Sequence, residues 1–155
     1  MRNGFTVVEF IVVLVLVSIV AVFAMPRWIT SPNLDAQAQV LLEDLRYTQL
    51  LAMTHDQRFR VNFSPPSNYS FSSTSGVTVI NPSTGASTTA LVSGVTITAL
   101  SNLPNNLIAF DEKGIPYTDS TATTQLATTA TITLSRNGMT RVVSIVPETG
   151  NMRLS

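Results

Sequence analysis

The chain has 155 residues, a formal net charge of zero from nine basic and nine acidic side chains, and no cysteine. That length supports about one domain, and the missing cysteines exclude a disulfide framework, a thiolate metal site and a cysteine nucleophile. With charged residues at only 12% and no basic run, the chain lacks the footprint of a general polyanion binder. The Ser/Thr/Asn/Gly-rich, Lys-poor second half suits an extracytoplasmic β-rich domain.

Residues 5–25 form an apolar segment in which Glu9 is the one charged side chain. As a helix, the segment spans about 31 Å at ~1.5 Å per residue, which matches a hydrocarbon core of roughly 30 Å and predicts a single membrane crossing. Its valines and isoleucines are weak helix formers in water, but lipid forces backbone groups to pair within the segment. Arg2 and the amino terminus favour a cytoplasmic N-terminus, while Arg27 sits just beyond the other end. A cleaved secretory signal is the plainer alternative, with Val22-Phe23-Ala24 as its small-residue site. Against it, the apolar run exceeds the usual ~7 to 15 residues, the leader holds one arginine, and Glu9 interrupts the start. A carboxylate in a spanning segment costs on the order of a few kcal/mol at the centre and less near the interface, so it implies a partner. Glu9 lies one helical turn after Phe5, on the same face.

Gly4-Phe5-Thr6-Val7-Val8-Glu9-Phe10 resembles the class III signal of type IV pilins and pseudopilins: a short basic leader ending in glycine, then phenylalanine, then glutamate at the fifth mature position. The resemblance implies that a prepilin peptidase cuts between Gly4 and Phe5 and methylates the new amine of Phe5. It also implies that Glu9 neutralises the terminal amine of a neighbouring subunit as subunits leave inner-membrane lipid and stack into a filament. Pro26 falls at the twenty-second mature position, where many pilins carry a helix-bending proline. Val7, Val8 and Phe10 depart mildly from the residues usual beside the glutamate.

Pro26 removes a backbone donor and clashes with the carbonyl of Val22, and Pro32 repeats the problem, so the helix is expected to bend or break between them. Trp28 suits either a membrane interface or the surface of the globular domain. Ser31 followed by Pro32 is a cap and first-turn signal for a second helix. Its apolar positions Leu34, Ala38, Leu41, Leu42, Leu45 and Ala52 share one stripe, with Asp35, Gln39, Glu43, Arg46 and Gln49 largely elsewhere. That stripe requires a sheet to cover it.

Alternating short strands are expected at residues 59–63, 69–72, 77–80 and 95–98, followed by a strand at 107–111 leading into the turn Gly114-Ile115-Pro116. Strands at 130–134 and 141–146 join through Asn137-Gly138, a strong hairpin signal. A last hairpin turns at residues 147–151 into 152–154. Two Ser/Thr/Ala-rich stretches, 83–89 and 118–129, read as surface loops. The order of the second helix, strand 59–63, Phe110-Asp111 with Gly114-Ile115-Pro116, and Pro147-Glu148-Thr149-Gly150 is similar to the minor pilins and pseudopilins of the GspH/FimT group.

Enzyme chemistry finds little support. His55 is the only histidine and stands beside Asp56 at an expected helix end, so no second histidine can build a metal site or a base with it. Asp111 and Glu112 read as turn residues rather than calcium ligands. No phosphate loop or nucleophile elbow occurs, and Asn68-Tyr69-Ser70 is a short glycosylation pattern. Arg136, Arg141 and Arg153, near the terminal hairpins, form at most a thin patch for nucleic acid.

The fold class expected is α+β: a long N-terminal hydrophobic helix, kinked and continuing into an amphipathic helix packed on an antiparallel sheet, or two small sheets. The organisation is a leader at residues 1–4, a transmembrane and assembly helix at 5–25, a kink and amphipathic helix at 26–56 and a β-rich domain at 57–155. The function expected is a non-enzymatic minor pilin or pseudopilin without cofactor or metal, anchored once in the inner membrane with its C-terminal domain in the periplasm. Its partners are prepilin peptidase, other pilin subunits and membrane lipid. A signal-anchored or secreted β-domain that binds a ligand without polymerising is the alternative.

Overall fold

The computed structural model describes residues 7–24, 32–81 and 84–155. The chain divides into two compact units, Met1–Thr30 and Ser31–Ser155. The first contains helix α1 (Val7–Ala24). The second contains helix α2 (Pro32–His55) and strands β1 (Phe59–Ser64), β2 (Asn68–Ser73), β3 (Thr88–Ala90), β4 (Thr96–Ser101), β5 (Leu107–Phe110), β6 (Pro116–Tyr117), β7 (Ala130–Arg136), β8 (Met139–Ile145) and β9 (Met152–Leu154).

Helix α2 begins on Pro32, whose fixed φ and missing N–H suit a first turn. It gives way at Asp56, which takes a positive φ of 50°, the left-handed geometry that ends many helices. The expected stripe is buried throughout: Leu34, Ala38, Leu41, Leu42, Leu45 and Ala52 all lie in the core, while Asp35, Gln39, Glu43, Arg46 and Gln49 are half-buried or exposed. Each buried leucine contributes roughly 1.5–3 kcal/mol. Packing of this stripe therefore outweighs intrinsic propensity in fixing α2.

Two antiparallel sheets cover the stripe. One has the order β3-β2-β1-β5-β6 and the other β4-β7-β8-β9. Alternation turns Phe59, Val61, Phe63, Tyr69 and Phe71 of the first sheet inward, and Ile132, Leu134, Val143, Ile145 and Met152 of the second, so that helix and both sheets share one hydrophobic core. The hairpin between β7 and β8 turns on Asn137 and Gly138 with φ of 51° and 79°, the paired positive values its dipeptide favours. Edge strand β4 carries an irregularity between Ile97 and Ala99, and the Ile97 amide donates to the Pro66 carbonyl at 2.7 Å.

Several local expectations change. Residues 77–80 do not form a strand of their own: Thr78 makes an isolated bridge to Ser72, and Val77 and Ile80 are exposed. Strand β3 instead lies partly in the stretch expected as a loop at 83–89: Thr88 to Ala90 pair with β2, and the β-branched threonines suit a strand that the Ser/Thr/Ala-rich composition masked. Pro116 also enters a short strand against Phe110. The stretch 118–129 is a loop, but one that packs: Ala122 joins Ala109 and Tyr117 in a second small cluster, and Leu126 enters the main core. Arg58 and Arg60 hold it by donating to the Thr121 and Ser120 carbonyls at 3.1 and 3.3 Å.

At the N-terminal end, α1 is 18 residues long, shorter than the expected 5–25, and among the described residues no helix is long and apolar enough to cross a membrane. The expected span counted residues on both flanks that lie outside the described ones. The kink expected at Pro26 and the cap at Ser31 also lie outside them.

Candidate assembly site

Helix α1 bears apolar side chains on every face, and all of those from Val7 to Val17 are exposed, from 47% at Val13 to 76% at Val7. A helix that is hydrophobic all round is stable only when lipid or other apolar helices cover it. Glu9 stands in its first turn, where a carboxylate suits the positive end of the helix dipole. The Ser18 hydroxyl is satisfied inside the helix by donating to the Leu14 carbonyl at 2.7 Å. Of the residues assigned to processing and assembly, Glu9 is thus placed on this exposed helix, whereas Gly4, Phe5 and Pro26 lie outside the described residues.

The second unit holds a polar group that sequence reasoning did not single out. Asp44 of α2 is buried at 6% exposure; Tyr69 Oη of β2 donates to its Oδ2 at 2.7 Å and Asn81 Nδ2 donates to the same oxygen at 2.9 Å. Asn81 also donates to the Thr89 hydroxyl of β3 at 3.3 Å. Two turns before Asp44, Gln37 Oε1 accepts the Val92 amide at 3.0 Å, and one turn after it the Thr48 hydroxyl donates to the Asp44 carbonyl at 2.9 Å. Burial raises the Asp44 carboxyl above its ordinary range, against hydrogen bonds from Tyr69 and Asn81 that favour the ionised form. The Tyr69 phenol is raised too, by burial first and then by Asp44. The only sequence signal was the placement of Gln37, Asp44 and Thr48 along one edge of an otherwise apolar stripe.

The two motifs at residues 110–116 and 147–150 meet over α2. Asp111 is buried; its Oδ1 accepts the Lys113 and Ile115 amides at 2.9 and 2.8 Å, and Tyr117 Oη donates to its Oδ2 at 3.2 Å. This is the turn role expected of it, while Glu112 is exposed. Gln49 Nε2 donates to the Gly114 carbonyl at 2.8 Å and to the Thr149 carbonyl at 3.2 Å, tying a turn from each sheet to the helix. Gly150, with φ of 62°, leaves no room for a β-carbon, which would lie 2.6 Å from the Gly114 carbonyl oxygen.

The remaining candidates disperse. His55 is exposed at the end of α2, with Nδ1 3.1 Å from the Thr54 hydroxyl and its ring edge-on to Phe59. The three arginines do not share one face: Arg141, which pairs with Asp35, and Arg136 lie on the helix side of the β7–β8 ladder, while Arg153 pairs across from Ser144 on the opposite face. Among the described residues no group of acids and histidine is placed to hold a metal ion.

An apolar helix in one unit and, in the other, a helix laid over two antiparallel sheets define a pilin-like fold. Two solved proteins make the likeness specific. The type IV minor pilin FimU of Pseudomonas aeruginosa is similar at 16% identity and a TM-score of 0.55, over 79% of this chain and 87% of that one. The minor pseudopilin EpsH from the type 2 secretion system of Vibrio cholerae is similar at 16% identity and a TM-score of 0.55, over 79% of this chain and 96% of that one. No known family profile matches the chain, and no curated protein matches it in sequence.

Proposed function

We propose that the chain is a minor pilin or pseudopilin, a structural subunit that primes, caps or modifies a type IV pilus or a type II secretion pseudopilus. The observation that carries this reading is α1, whose apolar side chains are exposed on all faces and which includes Glu9, attached to a pilin-like domain. Prepilin peptidase cleaves between Gly4 and Phe5 and methylates the Phe5 amine. The helix then anchors the subunit once in inner-membrane lipid, with the domain in the periplasm. On assembly, α1 exchanges lipid for the helices of other subunits, Glu9 offsets the charge of a neighbour's amine, and Pro26 bends the helix where it leaves the apolar layer.

Mass measurement at the mature N-terminus tests the processing step. Methyl-phenylalanine at Phe5 is the expected result, and a start at Met25 would transfer the case to a secreted binding domain. Glu9→Val is expected to leave membrane insertion intact and to reduce incorporation into filaments; normal incorporation would sink the pairing mechanism.

A further inference from the structure

Asp44 joins four parts of the fold. It projects from α2 and receives Tyr69 from β2 and Asn81 from the segment after β2; Asn81 in turn reaches Thr89 on β3, the edge strand of the first sheet. Gln37, on the same flank of α2, takes the amide of Val92 just beyond β3. The β2–β3 edge is therefore docked on the helix by polar contacts centred on one buried carboxyl group.

The groups facing Asp44 are the Tyr69 phenol from β2 and, uncharged, Asn81 and Thr89. On α2 itself Thr48 bonds the Asp44 carbonyl, while Glu43 and Arg46 pair with each other at the surface at 3.0 Å. Among the described residues no lysine, arginine or histidine pairs with Asp44. A buried carboxylate compensated by two neutral donors loses more hydration than it regains, whereas the neutral acid keeps Oδ2 as an acceptor for the same two donors. Parting the edge from the helix would let water reach the ionised form.

We propose that Asp44 is a pH-sensitive clasp that docks the β2–β3 edge of the first sheet on α2, firm when its carboxyl is protonated and looser when it is ionised. The direction follows from linkage: a carboxyl whose folded pKa is raised contributes its full stabilisation below its unfolded pKa and loses it as pH rises through the folded value. Between those two values the opening constant grows by up to about tenfold per pH unit. The edge controlled in this way borders the exposed side chains of Ile80 and Val92, so the clasp also sets how that apolar surface is presented.

Hydrogen exchange on the full chain in detergent micelles, with the amides of Asn81, Leu91 and Val92 followed from about pH 4 to pH 8 and corrected for intrinsic rates, tests the clasp. Protection of these amides is expected to fall several-fold as pH rises, relative to β7 and β8, and Asp44→Asn, a neutral mimic of the protonated acid, is expected to flatten the profile. Identical profiles in the two proteins, or protection that grows with pH, would overturn the proposal. Should Asp44→Asn fail to fold, the carboxyl carbon of Asp44 in the unsubstituted protein decides the matter. A titration midpoint above the ordinary carboxylate range supports the clasp, and one at or below it refutes the clasp.

Discussion

Helix α1 exposes apolar side chains on every face, whereas helix α2 confines them to one stripe and buries that stripe under two sheets. The difference lies in where each helix finds its partners. Helix α2 draws its stability from within its own chain, through leucines such as Leu45 and through side-chain bonds from Gln37, Asp44 and Gln49. Helix α1 has polar side chains only at Glu9 and Ser18, and its apolar surface is suited to lipid or to other apolar helices. One chain thus combines a self-sufficient helix with one that depends on its surroundings.

Substitution of matched leucines breaks or sharpens this contrast. Leu45→Ala, at a position with no exposure, is expected to cost roughly 2–5 kcal/mol in urea unfolding of the second unit. A negligible loss would mean that α2 does not hold the domain through this face. Gly150→Ala tests the turn packed against α2 and is expected to destabilise by about 1–3 kcal/mol, because a positive φ and a fixed carbonyl oxygen both oppose the new methyl group. Truncating Leu14 to alanine, although the chemistry is the same as at Leu45, should shift unfolding of the second unit by no more than about 0.5 kcal/mol. If its loss matches that of Leu45, the two helices do not differ as argued.

A smaller effect is expected in the loop after β6. The Asp119 carboxylate accepts the Thr123 and Thr124 amides and the Thr121 and Thr123 hydroxyls. Although desolvation, the largest single influence, acts to raise it, these bonds together hold the carboxyl well below its ordinary range. Its sign is opposite to that of Asp44: loop stabilisation is present above the unfolded carboxylate pKa and is lost as pH falls through the lower folded value. Exchange at the Thr123 and Thr124 amides should therefore quicken, relative to intrinsic rates, only in acid, and Asp119→Asn should remove that dependence. An unchanged acid profile in the variant would assign the loop's order to Arg58 and Arg60 instead.

Much of α2 was legible because leucine and alanine recur on one face at helical spacing and Pro32 marks the start. Asp44 was not, since a polar residue at the margin of an apolar stripe looks in sequence like one turned to water; only Tyr69 and Asn81, distant along the chain, give it a buried role. Strand β3 was hidden for a related reason. Its Thr88-Thr89-Ala90 is too short to show an alternating pattern within a Ser/Thr/Ala-rich stretch, and pairing with β2 supplies the structure. The converse holds at residues 77–80, where alternation suggested a strand but only Thr78 bridges to Ser72. The apolar surface of α1 and the place of Glu9 on it were legible from composition alone, because a lone charge among valines stands out without any tertiary context.

The irregularity in β4 bears on how copies of this domain avoid associating wrongly. A regular edge strand offers unpaired amides and carbonyls to any passing strand. Here the edge shifts register between Ile97 and Ala99, and the Ile97 amide is already taken by Pro66. A kinked and partly occupied rim is a poor template for sheet extension. Crowded copies of the second unit can then lie side by side without fusing their sheets.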